Sequence, residues 1–446
     1  MNLQTKNIDK EMIKTKFILL SIFSLLIFGT KAQQNISLDS AVKMALINNY
    51  SIEIARSQQQ IAGNNLSLGN AGFLPQLKAN ASNQWSENNV KQELSNGSIT
   101  DKTGVTGNSL NASLGFSWTL FDGSKMFVNR QKFNQQYQLS EIALKQASEE
   151  LIYKIMFQYY SIIKQKQQIK VSQQLIDLYQ KRKEIAELKK QSGAASEVDF
   201  LQAGVDLNAQ QANLLKQQLL LENQRNQLTR LISKNFSIIY DASESEYKAL
   251  DIKIGLLKDK MLTQNIQIRN AETNKNLAKL SISEYKTNIF PRLGFGFNYN
   301  FARSENGAGF ILMNQSNGIN YGFTASWTLF DGLNNNRNIQ NAKINRSISD
   351  ATYNDIRMQY EMQFLNYLKQ FENNLQISNL EKENSKSAGF NLQIALEKYK
   401  LGSISDVVLK EAQRSYEESQ LRLINARFDQ AVSELELLKI AGELVK

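Results

Sequence analysis

Four segments of the chain alternate between apolar and polar residues, the period of two expected of a strand with one apolar face. We predict strands at about residues 75–87, 108–121, 291–302 and 318–330. Their polar faces consist mainly of Asn, Ser, Thr and Gly and are almost uncharged. Such segments fit either a soluble sandwich or a barrel with lipid outside and water inside, and the shortage of charge favours the barrel.

Two much longer segments follow the strand pairs and predict helices. Residues 124–192 contain no proline or glycine, and in residues 333–401 only Gly389 interrupts the run. At a rise of 1.5 Å per residue, each segment makes a helix of about 100 Å. In the first segment an isoleucine recurs at every seventh position, as in the seam of a coiled coil. These residues are Ile155, Ile162, Ile169 and Ile176.

The strands and helices occur in two copies. The segment Ser117–Gly123, with the sequence SWTLFDG, returns as Ser326–Gly332. The only two prolines, Pro75 and Pro291, come at the start of the first predicted strand of each copy, where a missing backbone donor is tolerated. We therefore predict two structural repeats.

The repeats are predicted to cover residues 33–234 and 255–446, with a linker at 235–254 of no clear structure. Each is expected to begin with a helix, near residues 38–72 and 257–287. Polar loops are expected between the paired strands, at residues 87–106 and 302–318. Gly193 and Gly402 are predicted to end the long helices at tip turns, each followed by a returning helix.

The N-terminus predicts export. Lys10, Lys14 and Lys16 precede an apolar run at 17–28 that is too short to span a bilayer, and small residues flank a cut after Ala32. We interpret residues 1–32 as a signal peptide. An uncleaved N-terminal anchor is the alternative.

Composition excludes several kinds of function. The chain has no His and no Cys, so it can form no disulfide and no imidazole or thiolate metal site, and no metal or other cofactor is predicted. Its formal net charge is +10, but it lacks the long basic clusters of a nucleic-acid-binding protein. An enzyme using paired carboxylates would survive this test, although no pocket-like cluster of carboxylates is evident in the sequence.

Four strands cannot close a barrel, because about eight are needed even for a barrel filled by side chains. The chain is therefore expected to oligomerise and so remove its sheet edges. Aromatic residues near the strand ends are placed as in the interfacial girdle of a membrane barrel, although ordinary core packing is the alternative. These girdle candidates are Trp118, Phe121, Trp327 and Phe330.

The doubled pattern resembles the TolC-type outer membrane efflux family over essentially the whole mature chain. The resemblance is carried by the opening helix at 38–45, by Asn48-Asn49-Tyr50, by the Leu-Pro-Gln-Leu strand start, by the Trp-Thr-Leu-Phe-Asp-Gly strand end and by the glycine turns. It implies a mainly helical fold with a small transmembrane β-barrel, to which each of three chains adds four strands. It also implies a helical tunnel that extends through the periplasm.

The implied function is that of an outer membrane channel of a tripartite efflux or type I secretion system, passive and not enzymatic. The implied partners are two further copies of the chain, a periplasmic adaptor protein, an inner-membrane transporter and outer membrane lipid. A secreted coiled-coil structural or adhesive protein is the alternative, but it leaves the four amphipathic strands unexplained. The sequence does not indicate the cargo.

The family's gate residues map onto positions near the two turn glycines. The resemblance places a gate tyrosine at Tyr399, a gate aspartate at Asp199 and an acidic ring at Glu411. Two positions depart from the family pattern. Ile404 stands where some members have an arginine that pairs with the aspartate, and Val408 replaces an aspartate of the ring. All three gate candidates could instead be ordinary surface or packing residues.

Overall fold

The computed structural model of the protein describes residues 32–244, 246–247, 254–308 and 311–444. The predicted signal peptide lies outside the described residues except for its last position, Ala32. The strands are β1 (Ala32–Ile36), β2 (Gln76–Glu93), β3 (Ile99–Phe121), β4 (Ile238–Ala242), β5 (Arg292–Asn306) and β6 (Met313–Ser326). The helices are α1 (Leu38–Asn48), α2 (Tyr50–Asn64), α3 (Leu68–Ala71), α4 (Lys125–Gln191), α5 (Glu197–Ile232), α6 (Ile254–Gln264), α7 (Ile266–Thr287), α8 (Asn334–Lys400) and α9 (Asp406–Ile440).

The chain divides into two compact units. Among the described residues, the helical unit contains those within 32–53, 146–265 and 361–444, and the sheet unit contains those within 54–145 and 266–360. The long helices α4 and α8, of 67 residues each, contribute to both. Within the described residues, no helix combines the length and the apolar character needed to cross a bilayer. The predicted mainly helical fold with four strands in one sheet is confirmed.

The sheet unit is built around one four-stranded antiparallel sheet in the order β2-β3-β5-β6. Successive residues along each strand place their side chains on opposite faces of the sheet. The register between the strands then aligns the apolar positions on one face. Leu114, Tyr299 and Ile319 share one such row on the apolar face. Strands β2 and β6 are the outer strands, and each is paired on one side only.

The predicted loops between paired strands are wrong in extent, because the first hairpin continues as β2 and β3 until residues 93 and 99. The second continues until Asn306 and resumes at Met313. In the outer parts of both hairpins, beyond the apolar face, the side chains are mostly polar on both faces of the sheet. The backbone ladder therefore continues through polar residues that carry no alternating signal.

The last predicted strand also ends early, at Ser326 and not at residue 330. Its partner β5 begins at Arg292, which pairs with Ser326, so no backbone remains for Trp327 and the residues after it to pair with. In the first repeat, β3 does continue to Phe121, because it still pairs with Leu293 of β5 after a bulge.

Each predicted pre-strand helix is broken by an asparagine. Asn49 separates α1 from α2 and donates from Nδ2 to the carbonyl of Leu231 at 2.9 Å. Asn265 separates α6 from α7 and donates in the same way to the carbonyl of Ile440 at 2.9 Å. Both acceptors lie in the last turn of a returning helix, so the repeat in the sequence is also a repeat of tertiary hydrogen bonds.

The segment without a clear prediction, residues 235–254, contains a strand. Its strand β4 pairs in parallel with β1, about 200 residues earlier. Asp241 of β4 is buried and accepts hydrogen bonds from Arg225 at 2.7 Å and from Gln33 at 2.8 Å, and it forms an ion pair with Lys166 at 2.9 Å. A five-residue strand with so distant a partner leaves little local signal.

Candidate functional site

The two tip turns have the same backbone geometry. Gly193 and Gly402 follow α4 and α8 with φ of +75° and +73°, a region that residues with a side chain rarely adopt. In each turn the next residue donates to a carbonyl five positions earlier, Ala194 to Lys189 at 2.7 Å and Ser403 to Lys398 at 2.9 Å. This is the Schellman arrangement. A Cβ at either glycine would meet nothing within 4 Å, so the backbone conformation, and not crowding, requires glycine.

Tyr399, in the last turn of α8, is buried with 3% of its surface exposed. Its ring lies in an apolar cluster with Leu392, Ala395, Leu409 and Ala412. Burial and the nearby carboxylate of Asp406 raise the pKa of Tyr399 to about 12. The phenol therefore stays protonated at neutral pH.

Lys189 of α4 contacts the same tyrosine in two ways. Its Nζ lies 3.7 Å from the centre of the Tyr399 ring and donates to the Tyr399 carbonyl at 2.6 Å. A cation over an aromatic face and beside the carbonyls that end a helix is favourable on both counts. This contact ties the ends of α4 and α8 together.

Arg182 of α4 forms the buried polar centre of the helical unit near these turns. Its Nη1 donates to Asp206 of α5 at 2.9 Å, and its Nε donates to Asp406 of α9 at 2.8 Å. Nη2 donates to the second oxygen of Asp406, which makes that pair bidentate. Lys410 adds a second cation to Asp206 at 3.0 Å. We call Arg182, Asp206, Asp406 and Lys410 the tip network.

The network keeps the Asp206 carboxylate charged. Burial raises the pKa of the Asp206 carboxyl, but the hydrogen bonds from Lys410, Arg182 and Gln202 and the charge of Lys410 together lower it below its ordinary value of 3.8. The Arg182 side chain has no exposed surface. Removal of either carboxylate would therefore leave part of a buried guanidinium charge uncompensated.

Sequence reasoning missed Arg182, although a signal was present. Continued by sevens, the isoleucine seam leads to Lys183, but the buried stripe in this part of α4 consists of Leu175, Tyr179, Arg182 and Ala186. Their spacings of four, three and four are those of a packed helix face. A charged residue at such a position requires a buried partner.

Asp199, a candidate gate residue, makes a local contact at the start of α5. Its carboxylate accepts from the Ser196 backbone N–H at 3.1 Å, while its own N–H donates to the Ser196 hydroxyl at 3.2 Å. This reciprocal pair is a capping box. Among the described residues, the structure resolves no hydrogen bond between the Asp199 carboxylate and another helix.

The remaining candidates differ in their surroundings. Glu411 is exposed on α9. Ile404, at the position of the family arginine, packs against the apolar cluster around Tyr399. Val408 is half exposed on the first turn of α9. The arginine that binds Asp206 and Asp406 is thus Arg182 of α4, whereas position 404 lies in the turn between α8 and α9.

The sheet unit carries a separate candidate site, an apolar face with an aromatic ladder. The ring centres of Phe116 and Phe295 are 6.2 Å apart, and those of Phe295 and Phe323 are 5.1 Å apart. Phe323 is 78% exposed in the single chain. An exposed face of this kind requires an apolar environment or a partner.

The two tryptophans predicted for the girdle occupy matching positions in the two repeats. The indole of Trp118 donates to the Phe73 carbonyl at 2.9 Å, and that of Trp327 donates to the Ile289 carbonyl at 2.9 Å. Each acceptor lies two residues before a proline, and each strand begins one residue after its proline, not at it as predicted. Phe121 is half-buried and Phe330 is exposed. Each indole fixes the end of one strand to the start of another.

The sequence profile of the family described as "Outer membrane efflux protein" matches residues 41–234 and 257–443, which are most of each repeat. The chain belongs to the outer membrane efflux protein family. The resemblance identified from the doubled motifs is confirmed.

Relatives of this outer membrane efflux protein extend over most of its length. The cation efflux system protein CusC of Escherichia coli O6:H1 is 23% identical over 410 residues, which are 90% of this chain and 85% of CusC. Among solved structures, that of CusC has a TM-score of 0.76 at 19% identity, with 92% of this chain and 95% of that one covered. The Campylobacter jejuni CmeC channel has a TM-score of 0.75 at 18% identity, with 91% and 85% covered.

Membership identifies this outer membrane efflux protein as an efflux channel of the outer membrane, as predicted, and argues against a secreted fibre. The members of this family are efflux proteins, a class of transport protein. In the part of the chain that the structure describes, no group of three or more acidic side chains could hold a metal ion.

Proposed function

We propose that three copies of the chain form one channel, with a twelve-stranded barrel to which each chain adds four strands. The observation that carries this proposal is the sheet with two open edges, β2 and β6, and one apolar face. In lipid, unpaired backbone groups at such edges have no water to satisfy them. Two copies would give eight strands and a filled interior, whereas three give an open bore.

The channel then acts as a passive exit duct without catalytic activity. A periplasmic adaptor and an inner-membrane transporter deliver the cargo, in an efflux or a type I secretion system. CusC is named for cation efflux. That cargo is not carried over to this chain, whose sequence does not indicate what it transports.

Recording from the purified mature protein in a planar bilayer tests the proposal. We expect discrete conductance steps from protein extracted with the outer membrane. A protein that partitions into the soluble fraction and never conducts would instead indicate the fibre.

Paired substitutions on the two faces of the sheet test its orientation. Phe116→Arg or Phe323→Arg should impair insertion, since a lipid-facing cation near the bilayer midplane costs roughly 2–4 kcal/mol. Ser113→Lys or Thr324→Lys, on the polar face, should be tolerated and should change conductance. Equal behaviour of the two pairs in heat-stability and conductance measurements would contradict the barrel.

We also propose that the tip turns around Gly193 and Gly402 form the gate. Tyr399 packs the closed state, and Glu411 and Asp199 supply acidic groups near a narrow opening, where carboxylates favour cations. Support comes from the burial of Tyr399 and from Ile404, which packs beside it where an interchain ion pair would need an arginine.

Single-channel recording across a salt gradient tests the gate. Tyr399→Ala should raise resting conductance, and Glu411→Gln should lower cation preference with little loss of stability. If the double variant Asp199→Asn, Glu411→Gln kept the ion selectivity of the unchanged protein, the acidic groups would be surface charges and not a gate.

A further inference from the structure

The middle of the polar face of the sheet carries one charge that the channel proposal does not explain, while Arg292 lies at the end of that face, at the start of β5. Opposite the aromatic ladder, four strand segments provide this face: residues 76–84, 109–117, 294–302 and 316–324. We call them the belt segments. They contain no Asp, Glu or Arg, and Lys78 is their single charged side chain.

The apolar face shows where the belt ends on β5. Leu293, Phe295, Phe297, Tyr299 and Phe301 point to that face, and the next two positions on the same face are Arg303 and Glu305, which pair with each other. An ion pair at this point marks a return to a polar environment. Lys78 lies well inside the belt, in register with the row of Gly115 and Asn298.

The row of the polar face that contains Lys78 also contains one glycine and two asparagine amides. Gly115 is the cross-strand partner of Lys78, Asn298 is the partner of Gly115, and Asn320 is the partner of Asn298. A Cβ at Gly115 would lie 2.6 Å from Oδ1 of Asn298, so the Asn298 amide covers the space beside the lysine strand. Any residue with a side chain at 115 would require this amide to move.

Lys78 is exposed, and the ion pairs resolved among the described residues do not include it. Other exposed lysines of the described chain do find carboxylates, such as Lys91 with Asp101 at 3.7 Å in the outer part of the same hairpin. The belt supplies no such partner, because it has no carboxylate. The ammonium group of Lys78 is therefore available to interact with the solvent or solutes on the polar side of the sheet.

We propose that Lys78 is a specificity-determining residue of the channel, which attracts anionic groups such as carboxylates or phosphates into the bore of the barrel. The inference rests on the proposed three-chain barrel, in which three copies of Lys78 lie at one level with the amides of Asn298 and Asn320. Ammonium and amide N–H groups are donors that bind anions. Within a bore, such a ring acts over a Debye length of about 10 Å at 0.1 M salt.

A different role for the same residue is protection of an edge strand, since lysine on an outer strand discourages unwanted pairing. That role predicts an effect on assembly and none on the selectivity of assembled channels. The two roles can therefore be separated by measuring both quantities on one set of variants.

The experiment is reversal-potential recording of the full mature protein across a KCl gradient, with Lys78→Gln, Lys78→Arg and Lys102→Gln. Lys102→Gln removes the same charge from the outer part of the hairpin, beyond the belt. We expect Lys78→Gln to lower the permeability ratio of chloride to potassium by about two- to threefold, as for removal of a potential of roughly half of RT per unit charge, which acts on the anion and the cation in opposite directions. Lys78→Arg and Lys102→Gln should keep the ratio of the unchanged protein.

Block by tripolyphosphate gives a second measurement on the same channels. It should be strong in the unchanged protein and in Lys78→Arg, and weak in Lys78→Gln. If Lys78→Gln channels conduct with an unchanged permeability ratio and unchanged block, the inference about Lys78 is wrong, while the channel proposal stands. If this variant also assembles poorly, Lys78 protects the edge strand. A parent protein that never conducts would reject the proposed channel, and this inference with it.

Discussion

The two tip turns share their backbone but are stabilised by different side chains after the glycine. In the first turn, Ser196 and Asp199 form a reciprocal cap at the start of α5. In the second, Ser405 occupies the same position before α9, but its side chain makes no capping hydrogen bond, and Val408 stands where Asp199 would be. The first turn is therefore stabilised locally, by residues three positions apart.

The second turn uses its carboxylate elsewhere. Asp406, the first residue of α9, accepts hydrogen bonds from the buried Arg182, 224 positions earlier in the chain. Its stability thus depends on the packing of α4 against α9. A duplicated turn can keep its backbone while one copy exchanges a local cap for a long-range ion pair.

The largest expected effect comes from removing Arg182, which forms the long-range ion pairs with Asp206 and Asp406. Arg182→Ala leaves Asp206 and Asp406 facing a cavity without their guanidinium, and loss of one partner of a buried pair costs about 3–5 kcal/mol. Hydrogen exchange at the start of α9 should become much faster, while exchange at the Ser196 cap changes less. Lys181→Ala, an exposed neighbour on α4, is the control and should leave both unchanged. Equal loosening of the two turns would contradict the comparison.

A smaller effect should separate the two serines. Ser196→Ala removes a capping acceptor and should destabilise the start of α5 by about 1 kcal/mol. Ser405→Ala removes a side chain that makes no capping bond and should cost little. Amide exchange of the first turns of α5 and α9 measures both, and a larger cost for Ser405→Ala would show that the second turn also depends on a local cap.

The smallest effect should come from restoring the missing cap. Val408→Asp places a carboxylate three residues after Ser405, as Asp199 lies after Ser196. A carboxylate in the first turn of a helix contributes about 0.3–1 kcal/mol at either position, and only at position 408 is it also placed to accept from the Ser405 backbone N–H. Slower exchange at the start of α9 is expected, with Val407→Asp as the control at a neighbouring exposed position. No slowing with Val408→Asp, or equal slowing in both variants, would mean that the turns differ by more than this one residue.

Much of this architecture could be predicted because its signals are local. Alternation identified the four strands, the glycine turns marked the ends of α4 and α8, and the doubled motifs revealed the repeats and the family. The tip network could not be found this way, because Asp206 and Asp406 are 24 and 224 residues from Arg182. The pairing of β1 with β4 was missed for the same reason, since neither strand is identifiable without the other.

The mass of the detergent-solubilised complex tests the central claim of a shared barrel most directly. Each chain brings four strands with two open edges, and three chains are proposed to close them. Native mass spectrometry should find three chains per complex, stable to dilution in detergent. A monomer or dimer as the stable species would contradict the account.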